Sequence, residues 1–148
     1  MRLLFVMLLF SISVLAADSP FSGTWKFNPS KGHITPPIPK SSVAHIDADE
    51  ENFKFSQEFV DDKGTSTKSS YEAKFDGKDY AVNGDPNVDT VSLKRVSDHE
   101  IKFTQKKAGK VVTTDDVVVS KDGQTTTVNY VDYIEGKQQT GSAIYEKQ

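Results

Sequence analysis

Arg95 is the only arginine beyond residue 16 and is the first side chain that could do chemistry. In an alternating stretch it shares the parity of Val91 and Leu93, which predicts that it faces the inner side of a sheet. A guanidinium in that place could hold a ligand carboxylate, because its planar fork makes two charge-assisted hydrogen bonds. The alternative is that Arg95, just before the turn at Ser97-Asp98, stacks or pairs at the rim of the fold.

Aromatic side chains could form the wall of a site for an apolar molecule. Tyr145, Tyr130 and Trp25 each combine an apolar ring with one polar atom. The alternative is that they fill the core, with Trp25 closing one end. Phe55 and Phe103 lie in alternating stretches, which places them in the core first and in a pocket wall second. The predicted ligand-binding residues are therefore Arg95, Tyr145, Tyr130, Phe55, Phe103 and Trp25.

The other reactive residue types do not fall into catalytic or metal-ligating patterns. There is no cysteine and no Gly-x-Ser-x-Gly motif. The adjacent carboxylates of Asp115 and Asp116 are expected to form an exposed pair, because both cannot face a dry core. The histidines are scattered over different predicted elements: His33, His45 and His99. We therefore predict a protein that is not an enzyme and has no metal site and no cofactor; a haem held by a loop histidine such as His33 is the alternative.

The first sixteen residues have the pattern of a secretory signal peptide. Arg2 precedes an apolar run over residues 3–10, and the segment ends in Val14-Leu15-Ala16. The run is too short to span a bilayer. The prediction is a signal peptide over 1–16 and a single domain over 17–148, in a protein that is exported to the periplasm or secreted and is not stably inserted in a membrane.

The residues beyond the leader have the composition of β structure. They include one leucine, thirteen valines, twelve threonines and thirteen aromatic residues. Branched and aromatic side chains suit a pleated surface, whereas helical proteins rely on leucine and alanine. The formal net charge of −3 argues against nucleic acid as a partner, since a basic surface would be needed. The oligomeric state is left open.

Turn signals and alternation divide the chain into ten predicted strands. The turns begin 8 to 15 residues apart, which is typical of an antiparallel meander. Residues 29–40 hold four of the six prolines and are expected to be an extended connection that straps one end of the fold. The predicted strands are 22–28, 42–48, 53–60, 66–75, 79–83, 88–96, 100–107, 110–120, 124–134 and 138–146.

Both ends of the predicted domain carry short motifs: Gly23-Thr24-Trp25-Lys26 opens the first strand, and Ile144-Tyr145-Glu146-Lys147 closes the last. The first is similar to the Gly-x-Trp signature of lipocalins and fatty-acid-binding proteins, and the second is similar to the way fatty-acid-binding proteins end. Both groups belong to the calycin superfamily, which this chain therefore resembles. The interval from Asp76-Gly77 to Lys94-Arg95 resembles uncharacterised exported bacterial proteins with lipocalin-like features.

The resemblance implies an all-β fold, an antiparallel up-and-down barrel of about 8–10 strands, which transports a small hydrophobic or amphiphilic ligand such as a fatty acid or lipid. The sequence departs from fatty-acid-binding proteins in two places. Those proteins hold a carboxylate with a tyrosine and an arginine two positions apart on the last strand; here the tyrosine is Tyr145, but Ala143 stands at the arginine position. Their helical lid is replaced by the proline-rich connection. The alternative function is a barrel with a filled interior that binds another protein.

Overall fold

The computed structural model describes residues 18–148, which form ten β-strands and no helix. The predicted signal peptide lies outside the described residues. The strands are β1 (Gly23–His33), β2 (Ser41–Ala48), β3 (Asn52–Val60), β4 (Ser66–Lys74), β5 (Tyr80–Ala81), β6 (Thr90–Ser97), β7 (Glu100–Lys107), β8 (Lys110–Val119), β9 (Thr125–Ile134) and β10 (Lys137–Lys147).

All ten strands belong to one antiparallel sheet with the order β4-β3-β2-β1-β10-β9-β8-β7-β6-β5. Strands that are consecutive in sequence pair with each other, except β4 and β5, which lie at the two edges, and β1 also pairs with β10. The sheet curls until its outer strands meet, where Ser70 on β4 forms an isolated antiparallel bridge with Asn83. The fold is therefore a nearly closed up-and-down barrel, and the predicted all-β class is confirmed.

The two ends of the barrel are closed in different ways. At the end where β1 begins, Phe21 and Trp25 are almost completely buried, and the Trp25 indole N–H donates a 2.8 Å hydrogen bond to the Phe21 carbonyl. Trp25 lies in a continuous core whose other large members include Phe53, Leu93 and Ile101. Each such side chain contributes roughly 1.5–3 kcal/mol when it is fully buried. We call this the tryptophan end.

The opposite end is covered by the proline-rich connection between β1 and β2. This connection is shorter than the sequence pattern predicts, because β1 continues through Pro29 to His33 instead of ending at residue 28. The register between β1 and β10 shifts between Phe27 and Gly32, and such an irregularity accommodates a proline that cannot donate to the ladder. Residues 34–40 remain as the covering segment, here called the strap.

Candidate ligand-binding cavity

A cavity of about 690 Å³ occupies the barrel interior between the tryptophan end and the strap. Period-two alternation supplies its walls, since every second residue of each strand faces inward. Towards the tryptophan end the wall is apolar and includes Phe53, Phe55, Phe103 and Val117. A volume of this size falls in the range of small-molecule binding sites.

The strap forms the mouth of the cavity and is tied to the barrel by hydrogen bonds. Thr35, Pro36 and Pro37 line the cavity from this side. The Thr35 backbone N–H donates to the Tyr130 hydroxyl at 3.1 Å, and the Thr35 hydroxyl donates to the Thr140 carbonyl at 3.0 Å. Because these bonds join the strap to β9 and β10, the cover has a defined position over the mouth.

A hydrogen-bonded group of polar side chains interrupts the apolar wall. The side-chain amide of Gln57 donates to the Ser42 hydroxyl at 2.7 Å, and the Tyr145 hydroxyl donates to the same oxygen at 3.1 Å. Ser42 is only 1% exposed. Buried polar groups cost free energy unless they are paired, so this arrangement holds Gln57 and Tyr145 in fixed orientations at the cavity wall.

Asp115 is an inward-facing carboxylate on β8. It is only partly accessible, and it lines the cavity together with Thr113 and Val117 of the same strand. The Gln105 side-chain amide on β7 donates to Asp115 Oδ2 at 2.7 Å. The pKa of Asp115 is raised to about 7, chiefly by burial; the hydrogen bond from Gln105 opposes the shift, and the Asp132 and Asp116 carboxylates add to it.

The expected exposed pair of Asp115 and Asp116 is therefore wrong for Asp115. Successive residues of a strand point to opposite faces, so the two carboxylates are separated by the sheet itself. Asp116 points outward and forms a 2.9 Å ion pair with Lys102, and its side chain is 43% exposed. Only one of the two carboxylates thus faces the interior, which removes the conflict behind the expectation.

Two tyrosines lie close enough to Asp115 to sense its charge. Burial raises the pKa of Tyr71 well above its usual value, and the Asp115 charge adds to the shift. Burial likewise raises the pKa of Tyr145, again with a contribution from Asp115. Both phenols therefore stay protonated at neutral pH and can donate hydrogen bonds within the cavity.

The structure brings five of the six predicted site residues together. Their side chains line the one cavity: Trp25, Phe55, Phe103, Tyr130 and Tyr145. Arg95 does not line it. The Arg95 guanidinium lies 4.2 Å from the centre of the Phe75 ring and donates from Nη2 to the Asp49 carbonyl at 2.7 Å. Asp49 belongs to the turn between β2 and β3, at the tryptophan end, so Arg95 is far from the strap.

Sequence reasoning missed the polar half of the cavity. Gln105, Asp115 and Asp132 lie at inward positions of β7, β8 and β9. The signal was present in the alternation, because Asp115 has the parity of Val117 and Val119, of which Val119 is 2% exposed. The inward parity of Asp115 conflicts with the expectation that two adjacent carboxylates are both exposed to solvent, and that expectation is the one that the sequence analysis followed.

The histidines do not converge. His45 pairs with the Thr24 hydroxyl at 2.9 Å, and His99 is 3.2 Å from the Val119 carbonyl. In the described part of the chain no group of three or more histidine, cysteine, aspartate or glutamate residues is placed to hold a metal ion. Nor do residues 18–148 include a helix with the length and apolar character needed to cross a membrane.

The chain matches no protein-family model and no curated protein sequence. The fold and the cavity of the described residues define the class of the protein, an antiparallel β-barrel with an internal cavity.

Proposed function

We propose that this protein is an exported, calycin-like barrel that binds and carries a small apolar or amphiphilic molecule. The cavity of about 690 Å³ is the observation that carries the proposal. Its aromatic walls offer a large apolar area to a ligand, and burial of that area drives binding. The strap and the fixed Gln57 and Tyr145 side chains add polar atoms that can orient one end of the ligand.

Several features support the calycin assignment within this proposal. The strands follow one another around the barrel in sequence, and β1 closes on β10. Trp25 of the Gly-x-Trp stretch is buried at the end where β1 begins. The strap lies where the family has its lid. Because one fold hosts many functions, the binding claim depends on the cavity and not on the topology.

Binding of a neutral apolar dye tests the proposal. We expect N-phenyl-1-naphthylamine to bind with saturable fluorescence enhancement and to quench Trp25, the only tryptophan of the chain and a residue of the cavity wall. Ala143→Phe places a ring in the cavity from β10 and should weaken binding about tenfold or more, since it occupies the space that the dye needs.

Thr114→Phe is the matched control, because Thr114 lies next to inward-facing Asp115 and points outward on β8. This variant should bind the dye like the unmodified protein. Both variants should be folded by circular dichroism. Equal loss or equal retention of binding in the two would show that the dye binds outside the cavity and would refute the proposed binding function.

A further inference from the structure

The charges around the cavity are all of one sign. Four aspartates line it, namely Asp61, Asp85, Asp115 and Asp132. Among residues 18–148 no lysine, arginine or histidine lines it. A carboxylate ligand would thus meet only negative charge at the cavity wall, whereas a cation would meet opposite charge both at the mouth and further inside.

The four carboxylates lie at two depths. Asp61 in the turn between β3 and β4 and Asp85 in the segment before β6 are at the same end as the strap, where they accept hydrogen bonds from neighbouring backbone N–H groups. Asp115 and Asp132 lie on the adjacent strands β8 and β9. Thr113 pairs with Asp132 in the register, so Asp115 is its diagonal neighbour, about 7–8 Å away between Cα atoms.

The hydrogen bonds at the deeper pair hold the two carboxylates in place and leave each with a free oxygen. The Thr113 hydroxyl donates to Asp132 Oδ1 at 2.8 Å, and Gln105 donates to Asp115 Oδ2. Each bond engages one oxygen of its carboxylate. A protonated amine has three donors in a compact group, which suits the remaining oxygens of two neighbouring carboxylates.

Thr126 gives an independent indication that a molecule belongs in the cavity. It faces inward on β9, lines the cavity and is 7% exposed, and its Oγ1 is buried without a hydrogen-bond partner. Thr126 lies four residues before Tyr130, which pairs with Asp115. Thr126 is therefore about 13 Å from the level of Asp115 along the strand. An orphaned buried hydroxyl is costly, and a polar atom at the far end of a bound ligand, about 13 Å from a head group at Asp115, can satisfy it.

Two cationic side chains contact aromatic rings at the tryptophan end. Arg95 stacks on Phe75, and Lys147 Nζ lies 5.4 Å from the centre of the Trp25 ring. Both therefore lie beyond the apolar part of the cavity, away from the carboxylates.

We propose that the cavity selects a cationic amphiphile, with a protonated amine head at Asp115 and Asp132 and an apolar body directed towards Trp25. This inference rests on the proposed container function and narrows its ligand class. It differs from the fatty acid that the family resemblance implies, because the residues that would hold a carboxylate are absent from the cavity wall and acidic residues take their place.

The selection depends on pH through Asp115. The groups that face Asp115 are Gln105 on β7, Tyr71 on β4, Tyr145 on β10, and Tyr130 and Asp132 on β9, while Asp116 lies behind it on β8. Since the pKa of Asp115 is raised to about 7, the carboxyl is protonated in mildly acidic solution and ionised above neutrality. An alkylamine keeps its charge over this range, so its affinity should rise as the pH rises through about 7.

Isothermal titration calorimetry with three probes of equal chain length tests the inference. Decylammonium, decan-1-ol and decanoate differ in the charge of the head group and share the apolar body. At about pH 8 we expect decylammonium to bind about tenfold or more tighter than decanoate, with decan-1-ol between them. Decylammonium should also bind about tenfold tighter at about pH 8 than at about pH 5.

Variants of the adjacent aspartates locate the effect. Asp115→Asn should remove most of the preference for decylammonium and the pH dependence, while Asp116→Asn, which changes the outward carboxylate, should retain both. Binding of all three probes without a preference for the cation would overturn this inference but would agree with the proposed binding function. Failure of both decan-1-ol and the neutral dye to bind would overturn the proposed binding function itself. If Asp115→Asn does not fold, the pH series on the unmodified protein still decides.

Discussion

Asp115 shows how a single inward side chain sets the polarity of the barrel interior. Its neighbour Asp116 pairs with Lys102 on the outer surface, whereas Asp115 faces the cavity and depends on Gln105 for a hydrogen bond. Desolvation disfavours the charged form, so ionised Asp115 is a destabilising group in the empty protein. Retention of such a group at a cavity wall is typical of binding sites, where stability is given up for recognition.

Asp115 is expected to make the folded protein less stable as the pH rises. Below about pH 4 the carboxyl is protonated in both the folded and the unfolded chain. Between about pH 4 and about 7 the unfolded chain ionises first, because the folded pKa is raised to about 7, so the free energy of unfolding falls. Asp115→Asn should abolish this contribution, which is on the order of a few kcal/mol, in urea unfolding followed across this range.

Asp116→Asn is the control for this measurement. It breaks an exposed ion pair with Lys102, which is worth less than about 1 kcal/mol and weakens in salt. The unfolding free energy of this variant should keep the downward slope with pH. A slope that vanishes in both variants, or in neither, would contradict the assignment of the titration to Asp115.

At the scale of elements, alternation in the sequence predicts the strands well because each strand has one buried face. Seven strands begin and end within one residue of the predicted bounds, namely β2, β3, β4, β7, β8, β9 and β10. The pattern fails where backbone geometry decides, as in β1, which passes Pro29 through an irregular register that no residue type announces. Asp-Gly pairs favour two-residue hairpin turns, but Asp76-Gly77 and Asp122-Gly123 lie in longer connections between strands. The two-residue turns with positive φ at both positions are Ala108-Gly109 and Glu135-Gly136.

The residues of the cavity wall could be predicted in part, because inward and outward residues alternate along each strand. Parity identifies which face of a strand is inward, so Phe55, Phe103 and Tyr145 were found. Parity does not give the height of a residue along the barrel axis. Arg95 has the inward parity of Leu93 but lies at the last inward position of β6, where its side chain reaches the Phe75 ring at the tryptophan end. Its predicted ligand role therefore depended on a distance that only the fold supplies.

The strap is predicted to be held in place by Tyr130. Tyr130→Phe removes the acceptor of the Thr35 N–H while leaving the ring on β9. A hydrogen bond of this kind contributes about 1 kcal/mol, so amide hydrogen exchange at Thr35 should become about fivefold faster. Ligand dissociation should accelerate as well, because the strap covers the mouth.

Tyr133→Phe provides the matched control on the same strand. Tyr133 is 38% exposed and points away from the cavity. Loss of the Tyr133 hydroxyl should leave amide hydrogen exchange at Thr35 unchanged. Faster exchange in both variants would mean that β9 as a whole had loosened and that the bond to Thr35 does not hold the strap.

On the scale of the whole molecule, the barrel separates stability from binding along its axis. Near the tryptophan end the interior is filled by large apolar side chains that include Phe53, Leu93 and Ile101. Near the strap it is open and acidic. The first end supplies the apolar contacts that hold the sheet closed, and the second can keep uncompensated polar groups for a ligand. One continuous sheet joins both parts, so changes at the cavity wall need not unfold the core.

The seam between β4 and the β5 region is the weakest closure of this sheet. Ser70 and Asn83 exchange two backbone hydrogen bonds of 3.0 and 2.9 Å there. A depression of about 610 Å³ lies over the seam and is lined by these two residues together with Phe55 and Tyr71, which also line the main cavity. Besides the mouth, the seam is thus a place where the outer surface and the cavity share wall residues.

A disulfide across this seam tests whether the ligand enters at the strap. In a hydrogen-bonded antiparallel pair the Cα atoms are about 5.5 Å apart, within the range of a disulfide, so Ser70→Cys with Asn83→Cys should cross-link in this cysteine-free chain. Closing a loop of this length should add about 3 kcal/mol to the free energy of unfolding relative to the reduced double variant. If the strap is the entrance, the association rate of N-phenyl-1-naphthylamine, measured by stopped-flow fluorescence, should be the same in the oxidised and reduced forms. A rate that falls on oxidation and recovers on reduction would place the entrance at the seam, because the cross-link spans β4 and Asn83 and leaves the strap untouched.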